Sequence, residues 1–334
     1  MTPNPILEAR ELHTYFLVPQ SPFEALMRRP HLSVKAVDGV SFALMRGETL
    51  AIVGESGCGK TTIARTLIGL EAKTKGEILF DGKEVALRDG QTAIGLKHLR
   101  QRAQMIFQDP YESLNPRATI FDIVAEPLVV HGLAKGERER TAAVTTALED
   151  AGLRPAEHYF MRYPYELSGG QRQRVVIASA LVLQPELLIA DEPVSMLDVS
   201  IRAEILNLLR DLRQKRGISV IFITHDLSTV AYFADRIAVM YLGRIVEIGL
   251  TREVLRDPQH PYTKALLSVA PAPNPRLRRK RVILQGETPN PINLPSGCRF
   301  HPRCPVAFDQ CKIKDPQLTV LSETHQAACL LLEK

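Results

Sequence analysis

The chain has 334 residues, 45% of them hydrophobic and 24% charged, and a formal net charge of +5. That balance excludes a disordered or collagen-like polymer and fits a large globular domain with an extension. Its mild basicity suits a phosphate ligand or an anionic membrane surface without choosing between them. The longest apolar run, VVIASALVLQ from Val175, falls well short of the roughly 18–20 residues a bilayer helix needs. The start, MTPNPILEAR, has neither the basic head nor the apolar core of a secretory leader, so a cytosolic chain is expected.

The first clear element is ETLAIVG (Glu48–Gly54), an apolar run of buried-strand length. GESGCGKTT (Gly54–Thr62) follows it directly, and TTIARTLIGL from Thr61 reads as a helix. This is the G-x-x-x-x-G-K-[ST] pattern in its expected setting, strand before and helix after. Glycines turn backbone N–H groups inward to form an anion nest, and the helix N-terminus adds partial positive charge. Gly54, Glu55, Ser56, Gly57, Cys58 and Gly59 then line a phosphate cradle. Lys60 reaches the β- and γ-phosphates, Thr61 offers a hydroxyl to Mg²⁺, and Thr62 meets the α-phosphate. A plain glycine turn would not need lysine and threonine in that register. Cys58 sits at the helix N-terminus, where a lowered thiol pKa is expected, and its alkylation should block ATP binding.

QMIFQ (Gln104–Gln108) is the next strand. Between Asp109 and Tyr165 the pattern turns helical, as in ERERTAAVTTALEDAGL, and a helical subdomain is expected over about 109–183. LSGGQRQRVVIASAL places Ser168, Gly169, Gly170 and Gln171 at the start of a long helix, a second phosphate-binding terminus. One nucleotide rarely needs two, so this one is expected to serve a nucleotide held by a partner. ELLIAD (Glu186–Asp191) is a buried strand that leads into two acids. Asp191 is suited to holding Mg²⁺ through water and Glu192 to polarising an attacking water. RAEILNLLRDLRQK from Arg202 is helical, and SVIFITH (Ser219–His225) is a further strand. Strands alternating with helices imply an α/β fold, a mostly parallel sheet with helices on both faces.

From Arg252 prolines accumulate (DPQHPY, APAPNPR, ETPNPINLP), and an irregular tail is expected. Four of the five cysteines lie there, Cys298, Cys304, Cys311 and Cys329, spaced C-x5-C-x6-C-x17-C. In a reducing compartment such a group reads as a metal site rather than a pair of disulfides. Four thiolates can hold Zn²⁺ or an iron–sulfur cluster, although the paired C-x2-C of zinc sites is missing. RLRRKR (Arg276–Arg281) reads as a solvated linker or a lipid-headgroup contact; without interleaved aromatics it marks no nucleic-acid surface.

Taken in order, the phosphate loop, Gln108 in MIFQDP, LSGGQ (Leu167–Gln171), Asp191–Glu192, SMLD (Ser195–Asp198) and His225 in ITHD resemble the motifs of ATP-binding cassette (ABC) transporter ATPases. The resemblance implies a P-loop nucleotide-binding domain over residues 1–250, with an antiparallel N-terminal part, that hydrolyses ATP. Two such domains would stack head to tail. Each ATP would lie between one P-loop and the partner's Ser168–Gly170 segment, with Gln171 and Asp198 also facing nucleotide. Glu192 would orient the water, His225 contact the γ-phosphate, and Gln108 reach Mg²⁺ and sense the membrane partner. Phe16 would stack on adenine, with Tyr15 as its competitor. The family's D-loop usually reads S-A-L-D; Met196 departs from it, which implies slightly altered packing across the dimer and no loss of activity.

DPQHPYTKALL (Asp257–Leu267), GCRFHPRCP and FQDPYESLNPR resemble the peptide-importer branch, in particular the F-type ATP-binding subunits of dipeptide permeases. The likeness covers nearly the whole chain. It implies a C-terminal extension over 251–334 whose four cysteines hold a [4Fe–4S] cluster, with Zn²⁺ as the alternative, in a structural role. It also implies a peripheral place on the cytoplasmic face of the inner membrane. The partners would be a second, related ATPase, two transmembrane permeases and an extracytoplasmic substrate-binding protein, with no nucleic acid. A soluble cassette acting on ribosomes or DNA is the competing class; its tandem cassettes, coiled-coil arms or zinc modules are not visible. Nickel, glutathione or a sugar are the alternative cargoes.

Overall fold

A computed structural model describes residues 4–20, 31–86, 90, 93–134, 136–269, 282, 284 and 286–333. The strands are β1 (Leu7–Leu17), β2 (Ser33–Leu44), β3 (Thr49–Val53), β4 (Lys75–Phe80), β5 (Lys83–Ala86), β6 (Ala93–Gly95), β7 (Ala103–Ile106), β8 (Leu187–Asp191), β9 (Ser219–Thr224), β10 (Arg236–Tyr241), β11 (Arg244–Leu250), β12 (Thr319–Val320) and β13 (Gln326–Ala327). The α-helices are α1 (Lys60–Leu67), α2 (Leu96–Arg102), α3 (Pro110–Ser113), α4 (Ile120–His131), α5 (Glu137–Asp150), α6 (Gly169–Leu181), α7 (Val199–Arg216), α8 (Leu227–Phe233), α9 (Thr251–Arg256) and α10 (Pro261–Val269). They fall into two units, Met1–Leu7, Leu44–Thr49 and Leu79–Ile223 in one, and Glu8–Ala43, Leu50–Ile78 and Thr224–Lys334 in the other.

In the first unit β8 lies between two parallel neighbours, Leu187–Ala190 registering with Ala103–Ile106 of β7 and Leu187–Asp191 with Ser219–Ile223 of β9. Every residue of β8 and β9 is buried. The absence of alternation is what a parallel sheet covered on both faces requires. Helices α3 to α6 pack on one another after β7. The Thr119 hydroxyl accepts from Asp122 N–H to start α4, and Gly132, at φ 71°, ends it. Arg46 and Arg102 both bind Asp81 and Glu186, tying together the chain after β2, the turn after β4 and the approach to β8.

In the second unit β10 pairs parallel with β3 and antiparallel with β11. β13 pairs with β11 and β12 with β13. β1 lies between β2 and β4. The core joins β3 and β10 residues Ala51, Val53, Val239 and Tyr241 to Tyr262 and Phe300 from downstream. The Tyr241, Tyr262 and Phe300 rings meet pairwise with centroids 4.7, 5.2 and 5.4 Å apart.

The expected irregular tail is therefore partly regular. Pro261 opens α10 instead of breaking it, because the first helical N–H has no partner to lose. β12 and β13 are short, and strand pairing over such lengths leaves little period in the sequence. The basic cluster Arg276–Arg281 lies outside the described residues. Among the described residues no helix is long and apolar enough to cross a membrane.

Candidate functional site

The phosphate loop leaves β3 at Gly54. A Cβ there would lie 2.2 Å from the Met240 carbonyl oxygen, so no side chain fits. Gly59, at φ 106°, has the same restriction against the Ala36 carbonyl oxygen at 2.0 Å. No side chain caps α1 and its first turn holds no acid, so its N–H groups are left for an external anion. The Lys60 ammonium folds back on the loop, donating to the carbonyls of Gly54 (2.8 Å) and Glu55 (2.9 Å). Ser56 and Gly57 are exposed, and Thr61 and Thr62 half-buried at the start of α1. The expected lowering of the Cys58 thiol is overturned. The residue is buried, and burial pushes the thiol pKa up despite Lys60 nearby.

In the first unit Asp191 is the buried last residue of β8, and Glu192 follows it with φ 46°. A left-handed non-glycine residue is a local strain of the kind found at working sites. Glu192 N–H donates to the Ile223 carbonyl (2.9 Å), and its carboxylate accepts from the Gln108 amide (3.3 Å). The structure thus brings the glutamine after β7 to the acid after β8. Ser168 and Gln171 cap α6 reciprocally: Ser168 Oγ accepts from Gln171 N–H (3.3 Å), and the Gln171 side chain accepts from Ser168 N–H (3.0 Å). Gly169 and Gly170 form its first turn, a Cβ on Gly170 meeting Ile201 at 2.7 Å. In the D-loop Ser195 Oγ donates to the Glu192 carbonyl (3.0 Å), Met196 is 58% exposed, and the exposed Asp198 precedes α7. A bulkier residue than alanine at 196 therefore costs this chain no internal space.

In the second unit His225 is exposed ahead of α8, which Asp226 caps by accepting from Ser228 N–H. Phe16 and Tyr15 divide their roles. Tyr15 is committed to Asp38 and His13, and burial together with Asp38 pushes its hydroxyl pKa up to about 12. Phe16 leaves its ring exposed. Two residues of this region lie in stretches that mark the extension but carry no sign of a nucleotide-site role: Tyr262 accepts from Glu55 N–H (2.9 Å), and Arg303 donates to the Glu55 carboxylate (2.7 Å).

Comparison with known proteins gives this geometry its relatives. The ABC transporter family model matches residues 37–195, and that of the oligopeptide/dipeptide transporter C-terminal region matches 246–311. The dipeptide transport ATP-binding protein DppF of Haemophilus influenzae is 47% identical over 99% of this chain and 98% of its own length. The oligopeptide transport ATP-binding protein AppF of Bacillus subtilis is 47% identical over 98% and 97%. The chain belongs to the ABC transporter family. Among solved structures, cbiO1 from Clostridium perfringens, part of an ABC transporter complex, is similar at 31% identity and TM-score 0.62, covering 76% of this chain and 92% of its own. The cassette MJ0796, seen as a dimer in a post-hydrolysis state with ADP and Pi, is similar at 27% identity and TM-score 0.62, covering 74% and 99%.

As an ABC ATPase the chain binds ATP with Mg²⁺, and the Cβ-free turns and uncapped α1 fit a polyphosphate. The extension presents a different chemistry. Cys298 N–H donates to the Cys311 carbonyl (2.8 Å), and burial, then the other cysteines, pushes the Cys298 thiol up to about 11. Burial also raises the Cys304 thiol, with Cys329 and Cys311 adding to it, and the Cys329 thiol, with Cys311 adding to it. Among the described residues no three His, Cys, Asp or Glu side chains are set to hold a metal ion. The donor set is that of a four-thiolate site, but the thiols are not drawn around one tetrahedral ion.

Proposed function

We propose that this chain is the ATP-hydrolysing subunit of a membrane importer of dipeptides or oligopeptides. The observation that carries the reading is the end-to-end similarity to transport ATP-binding proteins, which runs through the C-terminal region as well as the cassette. Relatives from Brucella described as putative peptide import ATP-binding proteins support it at 46% identity over 99% of this chain. Residues 1–250 act as the nucleotide-binding domain, with the helical subdomain near 109–183, and 251–334 as the extension. The chain sits at the cytoplasmic face of the membrane beside a second ATPase, and two membrane-spanning permeases and an extracytoplasmic binding protein complete the assembly.

The residue roles follow from the chemistry each site offers. Loop N–H groups and Lys60 take the phosphates, Lys60 exchanging the Gly54 and Glu55 carbonyls for phosphate oxygens. Thr61, Asp191 and Gln108 take Mg²⁺, which neutralises charge developing on the transferred phosphoryl group. Glu192 accepts a hydrogen bond from the attacking water, and His225 steadies the γ-phosphate. Phe16 stacks on adenine, since Tyr15 is engaged elsewhere. Ser168, Gly169, Gly170, Gln171 and Asp198 meet the nucleotide held by the partner ATPase. Closure requires ATP, and loss of the γ-phosphate reopens the pair. We further propose that Cys298, Cys304, Cys311 and Cys329 ligate a [4Fe–4S] cluster that staples the extension. Anaerobic protein should then be brown and contain iron and sulfide; a colourless protein with stoichiometric zinc reverses that assignment.

The test of the transport reading is uptake. Reconstituted with its permeases and binding protein, the chain should drive ATP-dependent accumulation of a labelled dipeptide. Co-sedimentation with ribosomes and no association with permeases would replace the reading with the soluble class.

A further inference from the structure

Glu55, the second residue of the phosphate loop, is gripped by the C-terminal extension. Its N–H donates to the Tyr262 hydroxyl at 2.9 Å. Its carboxylate accepts from both terminal nitrogens of Arg303, at 2.7 and 3.2 Å, and from the Thr288 hydroxyl at 2.8 Å. Its carbonyl accepts from Lys60 at 2.9 Å. The Arg303 side chain is 9% exposed and directly precedes Cys304 in the chain. Burial would raise the Glu55 carboxyl, but Arg303 and Thr288 overcome it and hold the group below the usual carboxylate range. Burial pushes Tyr262 up, so its hydroxyl stays protonated.

None of these contacts is needed to bind a phosphate, which the loop does with backbone N–H groups and Lys60. Their effect is on the loop itself. A turn with glycine at 54, 57 and 59 has many accessible conformations, and ordering it on binding costs affinity. A bidentate guanidinium–carboxylate pair adds directional restraint as well as energy. We propose that Arg303 and Tyr262 are positioning residues for the nucleotide loop, which makes the C-terminal extension a working part of the ATP site that sets affinity for ATP rather than the rate of hydrolysis. The inference rests on the chain being an ABC ATPase and is independent of the transported cargo and of any metal in the extension.

The experiment uses the full-length subunit, with Mg–ATP binding followed by calorimetry, steady-state ATPase measured in the assembled transporter, and thermal unfolding without nucleotide. Arg303→Gln should weaken Kd and raise KM for ATP about tenfold, equivalent to 1.4 kcal/mol, with kcat within about twofold. Arg303→Lys should recover part of the loss, and Tyr262→Phe should weaken binding about threefold. Glu55→Gln should match Arg303→Gln, and the double variant should be no worse than either, as a shared interaction requires. If Arg303→Gln does not fold, Glu55→Gln asks the same question from the loop's side. Variants that lower the unfolding temperature while Kd and KM stay at the wild-type values would overturn the proposal, leaving these contacts as a mooring for the tail. A fall in kcat alone would overturn it equally.

Discussion

Replacing Gly59 by alanine probes the phosphate loop at its tightest point. Gly59 has φ 106°, and a Cβ there would lie 2.0 Å from the Ala36 carbonyl oxygen and 2.8 Å from Met240 Cε. Gly57 has φ 77°, yet a Cβ there would meet nothing within 4 Å. The two substitutions therefore separate two costs within one loop. Both force an L-residue into the left-handed region, at about 1–2 kcal/mol. Only Gly59→Ala adds overpacking, about 1–3 kcal/mol, with a backbone oxygen that cannot rotate away. Nucleotide-free Gly57→Ala should lose about 1–2 kcal/mol and Gly59→Ala about 2–5 kcal/mol. Urea midpoints at unchanged m, followed by far-ultraviolet circular dichroism, measure the difference. Equal losses in the two variants would refute the steric argument, because the backbone cost alone would then account for both.

The remaining expectations concern single side chains. Glu192→Gln should reduce phosphate release at least about a hundredfold while ATP binding persists; normal turnover would remove Glu192 from the chemistry. Cys58 should resist iodoacetamide at neutral pH with or without ATP and react only on unfolding; fast, ATP-sensitive labelling would restore the activated-thiol expectation. His260 is buried, and burial holds its pKa down to about 3 against the ordinary 6.5. Its folded form stays neutral while the unfolded chain takes up a proton, so its contribution is complete above pH 6.5 and is lost as pH falls towards 3. The loss should be about 1.4 kcal/mol per pH unit and should disappear in His260→Asn. Parallel pH profiles for the two proteins would contradict it.

What the sequence made legible is what proximity along the chain encodes. The loop from Gly54 to Thr62 and the capping box at Ser168–Gln171 are complete within a few residues, and their motifs named them. The strands β3, β8 and β9 announced themselves because full burial leaves unbroken apolar runs. Long-range partnerships left no such trace. Arg303 and Glu55 stand 248 positions apart, and nothing around RFHPRCP marks that arginine as a partner of the nucleotide loop. The Cys58 thiol departs from its sequence expectation for a related reason. Its place at a helix N-terminus is local, but the burial that dominates it is a property of the folded chain that no short motif carries. Tyr15 and Phe16 could not be separated from sequence, since the difference between them is Asp38, contributed by another strand.

The pairing of β13 with β11 reaches beyond architecture. Glu247 and Ile248 register with Ala327 and Gln326, and Ala328 N–H donates to the Val246 carbonyl (2.8 Å). Glu247 is fully buried and accepts from His325 (2.8 Å). A chain cut short before this strand would uncover the backbone groups of β11 around Val246–Ile248, an edge on which a second molecule can stack.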